Sequence, residues 1–573
     1  MNTLEYLQLA NSVEGAGGGK KKFAVNLVTN FTDEVLQKIL KGIFIANGIH
    51  PEITAVPYKQ YHLHLKDNKG LLYQKYADAT FLFFDVNPYR QSSFTLDGNH
   101  WRELLEDVKT YCLTQTAPVI MTSFITPYAG AYGNLFEQSP LFALIQEANE
   151  ALKSLSKELN NLYVCDVNAL VHHHGEKNIR DFRGLYAFDI PFTNDFLLAL
   201  AEEWFAYVRV LMGQTKKCVV VDLDNTLWGG VVGEVGPLGI ALGPDYPGLA
   251  YQNFQHALLE LYKRGIILAV NSKNNPADVA EVFAQNPHMI LTEQHFAAVR
   301  TNWDDKAKNL ASIAEELNIG VDSLVFLDDD AVNRNLVRSM LPGVAVPELP
   351  SVPEQYVSML YTLNLFNQFH LTEEDLKKAK MYADERQRKE VQYSAQNVED
   401  YIRELGITIT IEQNDPVSIP RLSQLTLKTN QFNLTTRRYG EGELLQMIED
   451  GAVIFAANVS DKFGDYGKTI MAIVKQGEGG VALLDTFLMS CRVMGRGVEG
   501  EFMKYVANEL CAAGLKQMDA MYTQTAKNAP AKGFLPALGF AETDQLGDTI
   551  HYSIDLALLT TIESGVTIKS KNS

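Results

Sequence analysis

A chain of 573 residues, of which 46% are apolar, is too long for a single hydrophobic core and too apolar to be disordered. Its 69 acidic and 50 basic residues give a net charge of −19, which argues against nucleic acid or an anionic membrane as the main partner. The sequence has no apolar run long enough to cross a bilayer, so we expect several folded domains and no membrane segment.

Cysteine usage and the first residues indicate the cellular compartment. The five cysteines are odd in number, widely separated and without the spacing of metal ligands, which favours reduced thiols. They are Cys112, Cys165, Cys218, Cys491 and Cys511. Residues 1–5 lack the basic start of a secretory signal. We therefore expect a cytoplasmic protein.

Residues 1–212 alternate apolar runs with amphipathic stretches, a pattern typical of an α/β domain. A Gly- and Lys-rich stretch at 15–22 is predicted to be a flexible lead-in. The pattern predicts strands at 23–28, 80–84, 118–121 and 162–167, and helices at 141–159 and 194–211. The adjacent histidines at 172–174 point in different directions, so we expect a solvated loop there rather than a metal site.

Residues 213–352 carry the most informative pattern. Three apolar runs, at 218–221, 266–270 and 324–327, have the length and composition of buried strands in a parallel sheet. Polar residues follow each run at once, and the carboxyl ends of parallel strands border one crevice. These residues are Asp222, Asp224 and Thr226 after the first run, Ser272 and Lys273 after the second, and Asp328 and Asp329 after the third.

These residue types suit phosphoryl transfer. Asp222 is the candidate nucleophile, and Asp224, on the same side of an extended chain, can act as acid and base. Lys306 would supply a fixed positive charge that stabilises an aspartyl-phosphate. Neighbouring carboxylates repel one another without a cation. The pattern therefore predicts Mg²⁺, held by Asp222, the carbonyl oxygen of Asp224, and Asp328 or Asp329.

Three further residues, Thr226, Ser272 and Lys273, are predicted to bind the phosphoryl oxygens. Each piece of the pattern also has an ordinary explanation. Asp-x-Asp-x-Thr is common by chance, a lone lysine is usually solvated, and the acidic run 328–330 could cap a helix at 331–340. The order of all the pieces, mostly at strand ends, favours a site.

The remaining sequence predicts a linker and a further domain. Residues 353–404 are predicted to form a helical linker, with a cap at Thr372 and Asp375 and then a charged, solvated helix. Residues 405–573 mix strands and helices again. The polar tail after Glu563 is predicted to be frayed.

A glycine-containing loop lies between a predicted strand at 481–489 and a predicted helix at 498–513. Backbone N–H groups of such loops bind anions. The loop and the later run 528–540 resemble the pyrophosphate loop and a following helix of GNAT-type acetyltransferases, which bind the pantetheine arm of coenzyme A. The candidate residues for pantetheine or acyl-carrier binding are Arg492, Gly495, Arg496, Gly497 and Asn528. A plain strand–turn–helix is the alternative.

Cys491 stands directly before this loop. A thiol near a helix N-terminus and beside Arg492 and Arg496 can act as a nucleophile. The alternative is a small buried residue that ends a strand, which is the usual role of an isolated cysteine.

Two resemblances join these observations. The order Asp222/Asp224/Thr226, Ser272, Lys306 and Asp328/Asp329 resembles the four motifs of the haloacid dehalogenase superfamily. The segments 222–234 (DLDNTLWGGVVGE), 425–439 (LTLKTNQFNLTTRRY) and 490–499 (SCRVMGRGVE) resemble the FkbH-like family, which has a haloacid dehalogenase domain of subfamily IIIC and a GNAT-type C-terminal domain. This resemblance implies transfer of a glyceryl unit from 1,3-bisphosphoglycerate to an acyl carrier protein, as in polyketide biosynthesis.

Residues 1–212 are similar to the SGNH-hydrolase fold but have a degenerate site. Residues 29–31 (TNF) stand where that fold has Gly-Asp-Ser, and Asn87 could match its oxyanion asparagine. The expected fold class is α/β and multidomain. It comprises an SGNH/flavodoxin-like N-terminal domain, a Rossmann-like haloacid dehalogenase domain, and a mixed α+β acetyltransferase-like C-terminal domain.

Chemistry constrains the order of steps that the resemblance implies. Attack of Asp222 on the acyl phosphate would discard the activated acyl group, so a thiol must attack the carbonyl carbon. We expect Cys491 or the carrier thiol to take the acyl group, and Asp222 to remove the 3-phosphate. Lys428, Arg437 and Arg438 are candidate contacts for substrate or carrier, with ordinary surface charge as the alternative.

The sequence is also compatible with two other functional classes. One is a stand-alone Mg²⁺-dependent phosphatase for a small phosphorylated metabolite or a phosphoprotein. The other is a scaffold, or a transferase that acylates a polysaccharide precursor. The intact set of Asp222, Asp224 and Lys306 argues against an inert scaffold.

Overall fold

The computed structural model describes the chain except for residues 13–20, 87–97, 128–131, 374, 377–402, 463, 560–564 and 571–573. Most of the predicted lead-in and most of the predicted charged helix therefore lie outside the described residues. The chain forms two compact units, the first being Met1–Arg209 with Tyr439–Gln446 and the second Val210–Arg438 with Met447–Ser573. Within the described part, no helix has both the length and the apolar character needed to cross a membrane.

The first unit is built on a five-stranded parallel sheet. Its strands are β1 (Lys21–Thr29), β2 (Ile49–Ala55), β3 (Ala79–Phe83), β4 (Val119–Thr122) and β5 (Leu162–Cys165). The order across the sheet is β2-β1-β3-β4-β5, the order of flavodoxin-like doubly wound sheets. All residues of β3 and β4 are buried, as expected when helices cover both faces.

Helices connect these strands. Their bounds are Thr3–Ser12, Glu34–Ala46, Tyr61–Lys66, Gly98–Thr114, Pro140–Glu158, Val167–His174, Glu176–Ile179, Phe182–Phe188 and Asn194–Leu211, with 3₁₀ turns at Leu71–Tyr73 and Gly133–Gln138. The histidines predicted to lie in a loop instead form the last turn of helix Val167–His174, because Asp166 caps its start and Gly175 ends it.

Two residues of the degenerate SGNH-like motif serve the local structure. The Asn30 side chain donates to the carbonyl oxygen of Asp85 at 3.0 Å and accepts from its N–H at 2.8 Å. The Thr29 hydroxyl donates to Asp33 at 3.0 Å. Asn87 lies outside the described residues. The SGNH assignment therefore stays a prediction.

The second unit contains a four-stranded parallel sheet. Its strands are β6 (Cys218–Val221), β7 (Ile267–Ser272), β8 (Phe296–Thr301) and β9 (Leu324–Leu327), in the order β8-β7-β6-β9. Successive residues of β6 alternate between two hydrophobic cores, with Val219 in one and Val220 in the other. The register pairs Val221 with Leu327, so the residues after β6 and β9 are neighbours.

Helices cover both faces of this sheet. Their bounds are Val232–Val235, Gly248–Lys263, Pro276–Gln285, Lys306–Glu316, Ala331–Met340 and Tyr356–Thr362, with 3₁₀ turns at Glu293–His295, Val321–Ser323 and Pro353–Gln355. Beyond them, Thr372 and Asp375 form the predicted cap: the Thr372 hydroxyl accepts from the Asp375 N–H, and the Asp375 carboxylate accepts from the Thr372 N–H.

A mixed sheet completes the second unit. Its strands are β10 (Thr408–Gln413), β11 (Phe432–Asn433), β12 (Val453–Asp461), β13 (Gly464–Gln476), β14 (Val481–Met489), β15 (Gln517–Thr523), β16 (Ala541–Leu546), β17 (Thr549–Asp555) and β18 (Thr567–Ser570). The order is β16-β17-β15-β14-β13-β12-β10-β18, and β11 pairs with β14. The tail predicted to be frayed instead contributes β18, which pairs in parallel with β10 and gains its hydrogen bonds there.

Short helices flank the mixed sheet. Their bounds are Ile419–Lys428, Val498–Ala512 and Phe534–Ala537, with 3₁₀ turns at Pro416–Ser418, Glu478–Gly480, Cys491–Val493, Ala529–Ala531 and Leu556–Leu558. A further helix, Glu441–Glu449, begins within Tyr439–Gln446, the segment that belongs to the first unit. The described residues thus confirm a multidomain α/β chain with parallel sheets.

Candidate functional site

Asp222 and Asp328 lie side by side at the carboxyl edge of the four-stranded sheet. Asp222 directly follows β6 and Asp328 directly follows β9. The Asp222 N–H donates to the carbonyl oxygen of Leu327 at 2.9 Å, which extends the pairing of the two strands by one residue. Both carboxylates are buried, with 8% and 0% of the residue exposed. Buried carboxylates need a partner of opposite charge.

Lys306 supplies one positive charge to this pair. It is the first residue of helix Lys306–Glu316, whose N-terminus is capped by the Asp305 side chain. Its ammonium lies 2.8 Å from Asp222 and 3.0 Å from Asp328, and donates to the carbonyl oxygen of Asn271 at 2.7 Å. Lys306 is 1% exposed, so these contacts form in a low-dielectric environment.

A third carboxylate, Asp329, joins the cluster and creates an excess of negative charge. Oxygen atoms of Asp222, Asp328 and Asp329 lie within 4.8 Å of one another. Asp329 is an exposed residue, but partial desolvation of its carboxyl raises its pKa to about 6, and repulsion from Asp222 and Asp328 adds to the effect. Burial and Asp222 also raise the pKa of Asp328, although Lys306 opposes this.

The donor atoms of this cluster fit a hard divalent cation. The three carboxylates carry more negative charge than the single Lys306 ammonium can neutralise. A hard divalent cation would supply the missing positive charge, and carboxylate oxygens are the ligands that hard divalent cations prefer. The cluster is formed by side chains of Asp222, Asp328 and Asp329, the residues that the sequence predicts as metal ligands together with Asp224.

Asp224 is held in place by three donors beside this cluster. One oxygen accepts from the indole N–H of Trp228 at 2.9 Å and from the N–H of Val232 at 3.2 Å. The other accepts from the Asn274 amide at 3.0 Å. Trp228 is fully buried, so it fixes the orientation of Asp224. This arrangement suits a group that exchanges protons at one defined position.

The three predicted phosphate ligands differ in their surroundings. The Thr226 hydroxyl is buried and accepts from the N–H of Asp329 at 3.1 Å, linking the two strand ends. The Ser272 hydroxyl is buried at the end of β7 and accepts from Asn274 at 3.1 Å. Lys273 is exposed. The structure therefore brings Thr226 and Ser272 to the carboxyl edge, with Lys273 at its rim.

One solved structure is similar to this chain over most of its length. It is the N-terminal part of the protein BF1531 from Bacteroides fragilis, described as containing a phosphatase domain complexed with Mg. The two chains are 30% identical, and the match covers 65% of this chain and 100% of that chain with a TM-score of 0.59. This chain belongs to the family of BF1531.

Other comparisons give much weaker matches. A putative GNAT-family acetyltransferase from Desulfovibrio desulfuricans is 14% identical, covering 26% of this chain and 99% of that one, with a TM-score of 0.22. The putative acetyltransferase yncA from Salmonella typhimurium, solved with acetyl-CoA, is 16% identical, covering 26% and 94%, with a TM-score of 0.21. At these values neither match bears on the chemistry of this chain. No protein-family model and no curated protein matches the sequence.

The loop predicted to bind pantetheine contains two glycines with positive φ, and two of the candidate residues make internal contacts. Gly495 and Gly497 have φ of 73°, the left-handed conformation that glycine permits. Arg496 is buried, stacks on the Tyr466 ring at 4.8 Å and lies 3.7 Å from Asp461. Asn528 is also buried, and its amide donates to the carbonyl oxygens of Asn433 and Thr523.

Cys491 and two of the predicted cationic residues line one cavity of 430 Å³. Cys491 is half-buried and shares this cavity with Arg492 and Lys428. Arg437 and Arg438 are engaged elsewhere. Arg437 pairs with Asp485, and Arg438 donates to the carbonyl oxygens of Thr426 and Leu427 and to Asn430.

The sequence interpretation missed several residues that position the site. Asn271 accepts from the Lys306 ammonium and donates from its amide to the Lys306 carbonyl oxygen at 2.9 Å. Arg334 donates to the carbonyl oxygens of Asp328 and Asp329. Asn274 and Trp228 orient Asp224. Asn271 and Asn274 lie on either side of Ser272 at the end of β7. Their position at a strand end, beside a predicted site residue, is the sequence feature that could have identified them.

Proposed function

We propose that this chain is a Mg²⁺-dependent phosphatase of the haloacid dehalogenase type, with Asp222 as nucleophile. The observation that carries the proposal is the cluster in which the buried Lys306 contacts the buried Asp222 and Asp328 while the exposed Asp329 lies beside them. Family membership with a protein whose phosphatase domain was crystallised with Mg supports the choice of reaction and metal.

Each side chain has a defined part in the reaction. An Asp222 oxygen attacks phosphorus, and the bond from phosphorus to the leaving oxygen breaks as Asp224 gives that oxygen a proton. Water then attacks the aspartyl-phosphate while Asp224 takes a proton from it, and phosphate leaves Asp222. Lys306 remains charged and stabilises the anionic groups throughout. Bound Mg²⁺, held by Asp222, Asp328 and Asp329, would neutralise the carboxylates and the phosphoryl oxygens.

Mg²⁺ affinity should fall as the pH is lowered through 6. Because the pKa of Asp329 is about 6 without metal, the proton and the cation compete for this carboxylate. At pH 5.5 about three quarters of Asp329 is protonated, which predicts roughly fourfold weaker binding than at pH 7.5. Isothermal titration calorimetry at the two pH values measures this ratio.

The control for this prediction is Asp329→Asn. This variant should bind Mg²⁺ more weakly at pH 7.5 and should lose most of the difference between the two pH values. Equal affinity of the unaltered protein at pH 5.5 and 7.5 would contradict a role for Asp329 as ligand.

We further propose that the phosphatase acts within a glyceryl transfer of the FkbH-like kind. A thiolate, from Cys491 or from the carrier, attacks the carbonyl carbon of 1,3-bisphosphoglycerate; the S–C bond forms, the C–O bond breaks and phosphate leaves. Where Cys491 takes the acyl group, the carrier thiolate then attacks the Cys491 thioester, the new S–C bond forms and the Cys491 thiolate leaves. Asp222 removes the 3-phosphate, leaving a glyceryl thioester on the acyl carrier protein. The placement of Cys491 and Lys428 in one cavity supports the step at the thiol.

Cys491→Ala should abolish loading of an acyl carrier protein while leaving phosphate release from small phosphate esters unchanged. The reason is that the substitution removes the proposed thiol acceptor and leaves the carboxylate cluster intact. Mass spectrometry of the carrier after incubation with 1,3-bisphosphoglycerate measures loading. Cys511→Ala, at an exposed cysteine, is the matched control. Normal loading by Cys491→Ala would assign the attack to the carrier thiol.

A stand-alone phosphatase is the second candidate. The carboxylate cluster is complete on one sheet and needs no residue of the mixed sheet. Phosphate release that is fast without any carrier, combined with no carrier loading by the unaltered protein, would favour this candidate.

A further inference from the structure

The cavity around Cys491 lies where the four-stranded sheet meets the mixed sheet. Its 430 Å³ is within the range of about 300–1,000 Å³ typical of small-molecule sites. The four-stranded sheet contributes Lys217 and the segment Ile319–Ser323, and the mixed-sheet part contributes the segments 428–432 and 489–492 with Lys527. The cavity therefore has polar and apolar walls drawn from two sheets.

The charged side chains that line this cavity are mostly basic, whereas the chain as a whole is acidic. Five basic residues line it against two acidic ones, in a chain whose net charge is −19. The basic residues are Lys217, Arg421, Lys428, Arg492 and Lys527, and the acidic ones are Asp322 and Asp375. Lys527 is exposed and pairs with Asp322, and Lys428 pairs with Asp375, so Lys217, Arg421 and Arg492 supply the excess of positive charge. Such an excess favours an anionic ligand.

Two lysines stand close together in the cavity wall. The Lys217 ammonium donates to the Lys428 carbonyl oxygen at 2.8 Å, and the Lys428 ammonium donates to Gln368 at 2.9 Å and to Asp375 at 3.3 Å. Burial lowers the pKa of Lys217, and lowers that of Lys428 to about 8. Cys491 and Asp322 favour the charged form of Lys217. An anion placed between the lysines would favour both charged forms.

A polar atom in the same wall also lacks a partner. Gln431 Oε1 is buried and has no hydrogen-bond partner among the described residues. Buried polar atoms without partners are uncommon in folded proteins and often mark the place of a ligand or water. A hydroxyl group of a bound molecule would satisfy it.

The cavity and the carboxylate cluster lie at opposite edges of the same sheet. Lys217 directly precedes β6 and Asp222 directly follows it; Ser323 and Asp328 flank β9 in the same way. At about 3.3 Å per residue, the five steps from Lys217 to Asp222 span about 17 Å. A small molecule bound in the cavity is therefore out of reach of Asp222.

We propose that this cavity is a second ligand site, which binds a small phosphorylated carboxylic acid or its acyl phosphate between Lys217 and Lys428, next to the Cys491 thiol. The inference rests on the proposed function for the identity of the ligand, but the binding it predicts does not require Asp222. Acyl transfer and phosphate removal then occur at two separate places. The acyl group must travel between them on a mobile group such as the carrier arm.

Protection of Cys491 from alkylation by iodoacetamide tests this inference. The full chain is treated with and without 3-phosphoglycerate, and mass spectrometry follows Cys491 together with the exposed Cys511 as internal reference. We expect 3-phosphoglycerate to slow alkylation of Cys491 and not of Cys511. Lys217→Met should raise the concentration needed for protection by roughly tenfold or more, because a charge-assisted contact is lost.

Controls separate this outcome from misfolding and from failure of the proposed function. Lys516→Met, at an exposed lysine, should leave protection unchanged, and Lys217→Gln should repeat the effect of Lys217→Met with an unchanged thermal transition. Asp222→Asn should lose phosphate release but keep protection. Equal alkylation of Cys491 with and without 3-phosphoglycerate, in protein that still releases phosphate, would overturn the inference. Protection by phosphopantetheine and not by 3-phosphoglycerate would also overturn it.

Discussion

Asp222→Asn should reduce Mg²⁺-dependent phosphate release by about four orders of magnitude or more, the usual effect of removing a covalent nucleophile. The amide is close in size to the carboxylate but is a poor nucleophile toward phosphorus. Loss of activity should therefore come without loss of fold. Release of phosphate from a small phosphate ester measures activity. In the unaltered protein, mass spectrometry after acid quenching should detect the phosphoryl group on the peptide that contains Asp222.

Asp304→Asn is a suitable control, because Asp304 is an exposed aspartate outside the cluster of Asp222, Asp328 and Asp329. It should keep full activity. If Asp222→Asn kept more than a tenth of the activity, or if phosphate were trapped on another residue, the assignment of the nucleophile would be wrong.

Lys306→Met should destabilise the fold as well as remove activity. It leaves the buried carboxylates Asp222 and Asp328 without the ammonium that now lies 2.8 Å and 3.0 Å from them. Breaking a buried ion pair from one side costs about 3–5 kcal/mol, because the remaining charge stays desolvated. Urea-induced unfolding at pH 7.5 in the absence of Mg²⁺ measures this loss.

The loss of folding stability caused by Lys306→Met should become smaller as the pH falls from 7.5 toward 5. The pKa of Asp328 is already raised by burial and by Asp222, and loss of Lys306 removes a group that opposes this. A carboxyl whose folded pKa exceeds its unfolded pKa destabilises the folded state above that folded pKa, and protonation relieves the cost as the pH falls. Lys308→Met, at an exposed lysine two residues on, should change stability little at either pH. Equal stability of the Lys306 and Lys308 variants would contradict the buried ion pairs.

Much of the part that contains the four-stranded sheet could be predicted from sequence because its signals are local. The apolar runs at 218–221 and 324–327 form strands β6 and β9 with the predicted bounds, and helix Ala331–Met340 also matches. In the first unit, helix Asn194–Leu211 matches its predicted bounds as well. The position of polar residues directly after such strands was enough to predict the neighbourhood of Asp222 and Asp328. Local patterns failed where a distant partner decides the outcome, as at β18, which is ordered by pairing with β10.

The sequence by itself determined the order of polar residues at the ends of buried strands, since short apolar runs bounded by polar residues favour strands through their local composition. Only the tertiary structure decided that β6 and β9 are neighbours, which brings Asp222, Asp328 and Lys306 together. It also decided that Arg438 donates hydrogen bonds to backbone carbonyl groups. Lys217 comes to lie beside Lys428 and Cys491 for the same reason. Strand order and the partners of charged side chains depend on residues far apart in sequence, and no local pattern encodes them.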